Sequence, residues 1–133
     1  MINDPYITSV RAALWGTEPI ETPVTDELMA LHMRQGTGAL VFPGLLERED
    51  LSPYARAQMK GVCLRAYQQQ TRLQHTLTMA WEALEKAGIH AVLMKGAGLA
   101  SLYPSPEQRE WGDIDLFVGK EQYHPACAVM RDT

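Results

Sequence analysis

The stretch from Ser52 to Gly88 limits the fold more than any other. Ser52 followed by Pro53 is a helix start, a side-chain oxygen that accepts from a free backbone N–H and a residue whose fixed φ suits the first helical position. Apolar residues then recur at Met59, Val62, Cys63, Ala66, Tyr67, Leu73, Leu77, Ala80, Trp81, Leu84 and Ala87, and Gly88 closes the run. That spacing keeps one stripe facing a core over many turns. At ~1.5 Å per residue the helix would run about 50 Å, with a bend expected near Gly61 or in the Gln-Gln-Gln at 68–70. A helix of this length is scaffold, and the chemistry is sought elsewhere.

Before it, residues 4–15 predict a short helix with Asp4 as cap, Pro5 at the first position and Gly16 as the stop. The Pro- and Thr-rich TEPIETPV reads as a connection, and Thr25 or Asp26 opens a second helix ending near Gln35. GTG at 36–38 interrupts the pattern. Residues 39–48, ALVFPGLLER, predict a short helix broken by Pro43 and Gly44. After Gly88 the pattern changes to a strand in IHAVLM, a helix in GLASLY, a strand in DIDLFV and a helix from Glu121 to Met130. The expectation is an α+β fold in one domain over residues 1–133, mainly helical over 1–88, with an α/β core over 89–133 that holds the candidate site and is incomplete.

Composition excludes several classes. A formal net charge of −4 gives no general basic field, so nonspecific duplex binding is not favoured, although a local basic patch is compatible with it. Cys63 and Cys127 show no ligand spacing, which argues against a zinc site or a disulfide framework and suits a reducing cytoplasm. His32, His75, His90 and His124 have no metal spacing either. No stretch approaches the ~20 apolar residues of a membrane span, and the N-terminus lacks the marks of a signal peptide.

The residues suited to chemistry lie in LMKGAGLASLYPSPEQREWGDIDLFV, residues 93–118. If DIDLFV is a strand, Asp113 and Asp115 point to one face, and Ile114 and Leu116 to the other. Two adjacent carboxylates repel, and a divalent cation that ligates both removes the repulsion. Oxygen ligands favour Mg²⁺ or Mn²⁺. Taken alone, such a pair is more often a turn cap plus an edge-strand charge. Upstream, Lys95 and Gly96 follow one strand and open a helix, where backbone N–H groups can approach an anion. The glycines are equally read as a tight strand-to-helix turn, and the Walker pattern is absent. With Arg109 in the same segment, the set becomes a phosphate-plus-metal proposal.

This order of residues resembles the nucleotidyltransferase superfamily of the polymerase β type. It carries Lys-Gly, a short helix ending in Leu-Tyr, a Pro-containing loop, an Arg four residues before Asp113, then DIDLFV. Within the superfamily it is most similar to the uncharacterised nucleotidyltransferase-like family that reads LKGAAL, LYPDP and R..GDIDLLV, and VFPGLLER ahead of a long helix fits that family too. The resemblance implies metal-dependent transfer of a nucleoside monophosphate from an NTP to an acceptor: a protein side chain, a small molecule or an RNA end. It implies Asp113 and Asp115 as catalytic metal ligands for Mg²⁺ or Mn²⁺. Gly96 and Gly98 would lie against the triphosphate. Lys95 and Arg109 would contact phosphates or pair with the aspartates.

The chain also departs from the superfamily. Its usual Gly-Ser is replaced by Lys95-Gly96-Ala97, and Ser101 lies a turn further on. A third carboxylate is not evident after Val118, since Glu121 and Asp132 are poorly placed. The expectation is therefore either a fragment of a longer protein or a degenerate member that binds nucleotide without turning it over. The alternative is a noncatalytic interaction module. Uncovered apolar strand surface in an incomplete core also predicts a homo-oligomer.

Overall fold

The computed structural model describes residues 4–16, 21 and 23–133. The connection expected at 17–24 falls largely outside them. Helix α1 (Pro5–Trp15) opens on Asp4, whose Oδ1 accepts from Tyr6 N at 2.9 Å. It closes at Gly16, whose φ of 61° is left-handed. Helix α2 (Asp26–Arg34) is capped by Thr25 Oγ1, which accepts from Leu28 N at 3.2 Å. Asp26 and Glu27 lie in its first turn and Arg34 in its last, the order that complements the helix dipole.

The expectation of a broken helix at 39–48 is corrected: α3 (Gly38–Leu46) runs continuously through Pro43 and begins inside the GTG stretch. Pro43 removes one intrahelical donor, yet the segment is buried almost all round, with Val41 and Leu45 fully covered, and burial outweighs the break. Gly38 is needed for close packing, because a Cβ there would lie 2.9 Å from Val62 Cγ1 and 3.1 Å from the Phe42 ring. The carbonyls at the end of α3 are met by Arg56, which donates to Leu46 O at 2.7 Å and Arg48 O at 2.6 Å.

Helix α4 (Pro53–Lys86) is one uninterrupted helix of 34 residues, capped by Ser52 Oγ, which accepts from Ala55 N at 3.1 Å. Gly88, at φ 71°, turns the chain, and Ile89 N returns to Leu84 O at 2.9 Å. The helix serves two cores. Its first half carries Ala55, Met59 and Val62 against Met29, Leu40, Val41, Phe42 and Leu45. Its far end carries Leu84 against Ile89 and Ala126, with Ala91, Leu116, Val118 and Val129 packed around them.

The two strands are shorter than the sequence predicts. β1 (Ala91–Met94) and β2 (Asp115–Val118) pair antiparallel, with Ala91 opposite Val118, Leu93 opposite Leu116 and Met94 opposite Asp115. Between them runs α5 (Gly96–Ala100), and after them α6 (Tyr123–Asp132), preceded by a 3-10 turn at Lys120–Gln122. The alternation places Leu93, Leu116 and Val118 on the covered face and Val92, Met94 and Phe117 on the open one. The expected α+β fold is present, a helical half and a small two-stranded sheet joined by one helix. No helix among the described residues is long and apolar enough to cross a membrane.

Where α1, α2 and α3 meet, His32 is fully buried. Ser9 Oγ donates to Tyr6 O at 2.8 Å, so it must accept from His32 Nε2–H at 2.9 Å, and Nδ1 then accepts from Thr37 Oγ1 at 2.9 Å. The ring also lies 4.8 Å from that of Tyr6, centroid to centroid. Burial holds the imidazole neutral and lowers its pKa to about 4.

Candidate nucleotide and metal site

The site is built at the turn between β1 and α5. Lys95 has φ 42° and ψ −138°, a conformation that L-residues rarely adopt and that costs on the order of 1–3 kcal/mol. Gly96 follows at φ 33°. A side chain at Gly96 would press on Asp113 O and the Trp111 ring, each 3.4 Å from the added Cβ, so glycine lets the loop before β2 close onto the turn. Arg109 Nη1 donates to Gly96 O at 3.1 Å and ties the same loop down.

Lys95 Nζ lies 2.8 Å from Asp115 Oδ2, on the open face of the sheet. The hydrogen bond that Lys95 donates to Asp115, then the charges of Asp115 and Asp113, hold the Lys95 ammonium above its ordinary pKa. Two carboxylates and one ammonium thus share a small exposed region. Asp113 belongs to the loop, since β2 begins only at Asp115. The strand alternation invoked for the pair therefore does not place both side chains, and their nearness is set by the loop. Of the contacts expected for Arg109, the structure shows instead a bond from its guanidinium to the Gly96 carbonyl.

Gly98 packs over β1, an added Cβ lying 3.8 Å from Leu93 Cγ. Helix α5 has five residues, too few for a strong macrodipole, so any anion at Gly96 would rely on local N–H groups and Lys95. Among the described residues no group of three or more His, Cys, Asp and Glu side chains is placed to hold a metal ion.

A scan against family models matches residues 23–133 to the family described as Uncharacterised nucleotidyltransferase. The chain belongs to this nucleotidyltransferase family. Neither the curated proteins nor the solved structures yielded a match. Within this nucleotidyltransferase-family chain, the Lys95 turn and the loop that leads into β2 meet, and both fall inside the matched span.

Three residues behind the site escaped the sequence reading. Gln70 Nε2 donates to Trp111 O at 3.2 Å, with Gln69 Nε2 at 3.5 Å, which fastens the loop to α4. Glu110 Oε1 accepts from Ala39 N at 3.2 Å, supplying from the loop the cap that Thr37 does not give α3. A signal existed for Gln70: it follows Val62 and Ala66 at four-residue steps and precedes Leu77, so it is a polar residue in phase with a buried stripe.

Proposed function

We propose that this chain binds a nucleoside triphosphate with Mg²⁺ or Mn²⁺ at Asp113 and Asp115 and serves transfer of a nucleoside monophosphate to an acceptor. The observation that carries the reading is the Lys95–Asp115 pair beside Asp113: the carboxylates already hold a cation's charge at an exposed, oxygen-lined position. That donor set fits Mg²⁺, which commonly takes one or two carboxylates and fills its remaining positions with water and substrate phosphates. A bound ion would supply neutralisation of charge at the phosphate undergoing transfer. Asp113 and Asp115 would hold it. Lys95, displaced from Asp115, would turn its ammonium to the phosphates, and Gly96 would offer its N–H without a side chain in the way. Arg109 fixes the Gly96 carbonyl and so positions the turn.

Titration of NTPs with and without Mg²⁺ against wild type and the Asp113→Ala/Asp115→Ala variant tests this reading. Metal-dependent binding that vanishes in the double variant is expected, and binding that survives it refutes the site. A second reading, a noncatalytic self-association module, is favoured by the open sheet face, where Val92 is 58% and Phe117 61% exposed. A concentration-independent monomer in sedimentation would remove that reading.

A further inference from the structure

From Ser52 to Trp81 the chain carries Arg56, Lys60, Arg65 and Arg72 and no Asp or Glu. The stretch contributes +4 to a formal net charge of −4, so the remainder of the chain stands at −8. All of it but Ser52 lies in α4, and the helix gathers part of this excess on one flank. A line runs from Tyr54 through Gln58, Gly61, Arg65 and Gln68 to Arg72 in steps of three and four residues, which keeps these positions on one side, clear of the buried stripe. Apart from half-buried Gly61 the whole line is exposed, Tyr54 to 65%. A Cβ at Gly61 would lie 3.3 Å from Arg65 Nη1, so the glycine gives the guanidinium room to lie along the helix. Neither Arg65 nor Arg72 makes a salt bridge among the described residues.

We propose that this flank of α4 docks single-stranded RNA, with phosphates at Arg65 and Arg72 and a base stacked on Tyr54. Charge complementarity decides the class of partner: an acid-free line about 27 Å long, with cations spaced about 10 Å apart along the axis, suits a chain of repeating anions. Between Tyr54 and Arg72 the line holds no large aliphatic side chain, the anchor that a protein partner or a membrane surface would need. Gln58 and Gln68 add exposed amides that both donate and accept, as the 2′-hydroxyls of RNA do and the sugars of DNA do not. The line also borders the candidate site: Gln69, one turn from each arginine, donates to Trp111 O at 3.5 Å, two residues before Asp113. Docking rests on the charge pattern and needs neither metal nor NTP; only use of the strand as acceptor rests on the nucleotide reading above.

The test uses the full chain and a fluorescein-labelled RNA of about 12 nucleotides, followed by anisotropy without Mg²⁺ between about 50 and 200 mM salt. Saturable binding that weakens with salt is expected. Arg65→Gln/Arg72→Gln should lower affinity on the order of tenfold and flatten the slope of log K against log salt by about 1.4, two phosphate contacts' worth for a single strand. Tyr54→Ala should weaken binding severalfold. Arg11→Gln/Lys120→Gln makes the same change in net charge at exposed positions on other elements and should leave binding as in wild type. No RNA binding at low salt, wild-type binding in the α4 arginine variant, or equal loss in the control pair overturns the surface. Equal affinity for DNA of the same sequence overturns the choice of RNA, and binding to phosphatidylserine vesicles in place of RNA overturns both. If RNA binding fails while Mg²⁺-dependent NTP binding is lost in Asp113→Ala/Asp115→Ala, the surface alone has failed. RNA binding that obeys the α4 variants while Mg²⁺ adds nothing to NTP affinity supports the surface and removes the metal reading.

Discussion

The ammonium of Lys95 and the carboxylate of Asp115 meet at 2.8 Å beside the end of the sheet, where Met94 pairs with Asp115. The contact joins a residue held in a strained conformation to the first residue of the second strand. An exposed ion pair contributes little once water screens it, less than the strain of on the order of 1–3 kcal/mol that the Lys95 backbone carries. The pair is therefore a poor explanation of stability. A turn that tolerates glycine yet holds lysine points to a use for the ammonium.

Lys95→Gly should relax the turn. The relief is offset by the lost pair and by glycine's greater freedom when unfolded, so urea stability is expected to stay within about 1 kcal/mol of wild type. NTP affinity should fall at least severalfold in the same protein. A marked drop in the urea midpoint would count against the strain account, and unchanged NTP affinity against the phosphate role of the lysine.

His32 makes the helical half sensitive to acid. Its pKa is about 6.5 when unfolded and about 4 when folded, so the neutral ring stabilises the fold fully above pH 6.5. As pH falls from 6.5 to 4 the unfolded chain takes up the proton first, and this contribution, at most on the order of 3 kcal/mol, is progressively lost. Urea midpoints measured across that window should decline in wild type and flatten in His32→Gln. Parallel slopes for the two proteins would place the acid sensitivity elsewhere.

Gly38→Ala tests the contact between α3 and α4. The added methyl meets Val62 Cγ1 at 2.9 Å and the Phe42 ring at 3.1 Å inside the larger core. Overpacking there outweighs the better helix propensity of alanine, giving a net loss of about 1–2 kcal/mol. The urea midpoint should fall with an unchanged slope; a neutral or stabilised variant would mean that the two helices separate more easily than their packing implies.

Glu110→Ala removes a cap supplied from far along the chain. Loss of the bond to Ala39 N is expected to cost about 1 kcal/mol and to speed hydrogen exchange at that amide, while Glu110→Gln keeps most of the protection. Exchange at Ala39 identical in wild type and Glu110→Ala would show that the cap is not held in solution.

Local chemistry alone determined the starts of α1, α2 and α4. Asp4, Thr25 and Ser52 cap as their side chains require, and Gly16 and Gly88 adopt the left-handed turns that end helices cheaply only at glycine. The stripe from Met59 to Leu84 likewise predicted one long helix, because periodicity is a property of the chain itself. The motif residues Lys95, Gly96, Asp113 and Asp115 were legible as a group for the same reason: they are close in sequence.

Tertiary structure decided what those residues do to one another. It began β2 at Asp115 and left Asp113 in the loop, turned Lys95 onto Asp115, and gave Arg109 to the Gly96 carbonyl. It also carried α3 through Pro43, since burial of most of the helix outweighs one missing hydrogen bond, a balance local propensity does not contain. Gln70 and Glu110 reach partners 41 and 71 residues away, and no pattern along the chain encodes such distances. Spacing fixes which side chains share a face. Which groups then satisfy one another depends on burial and loop closure, and these exist only once α4 has brought the two halves of the chain together.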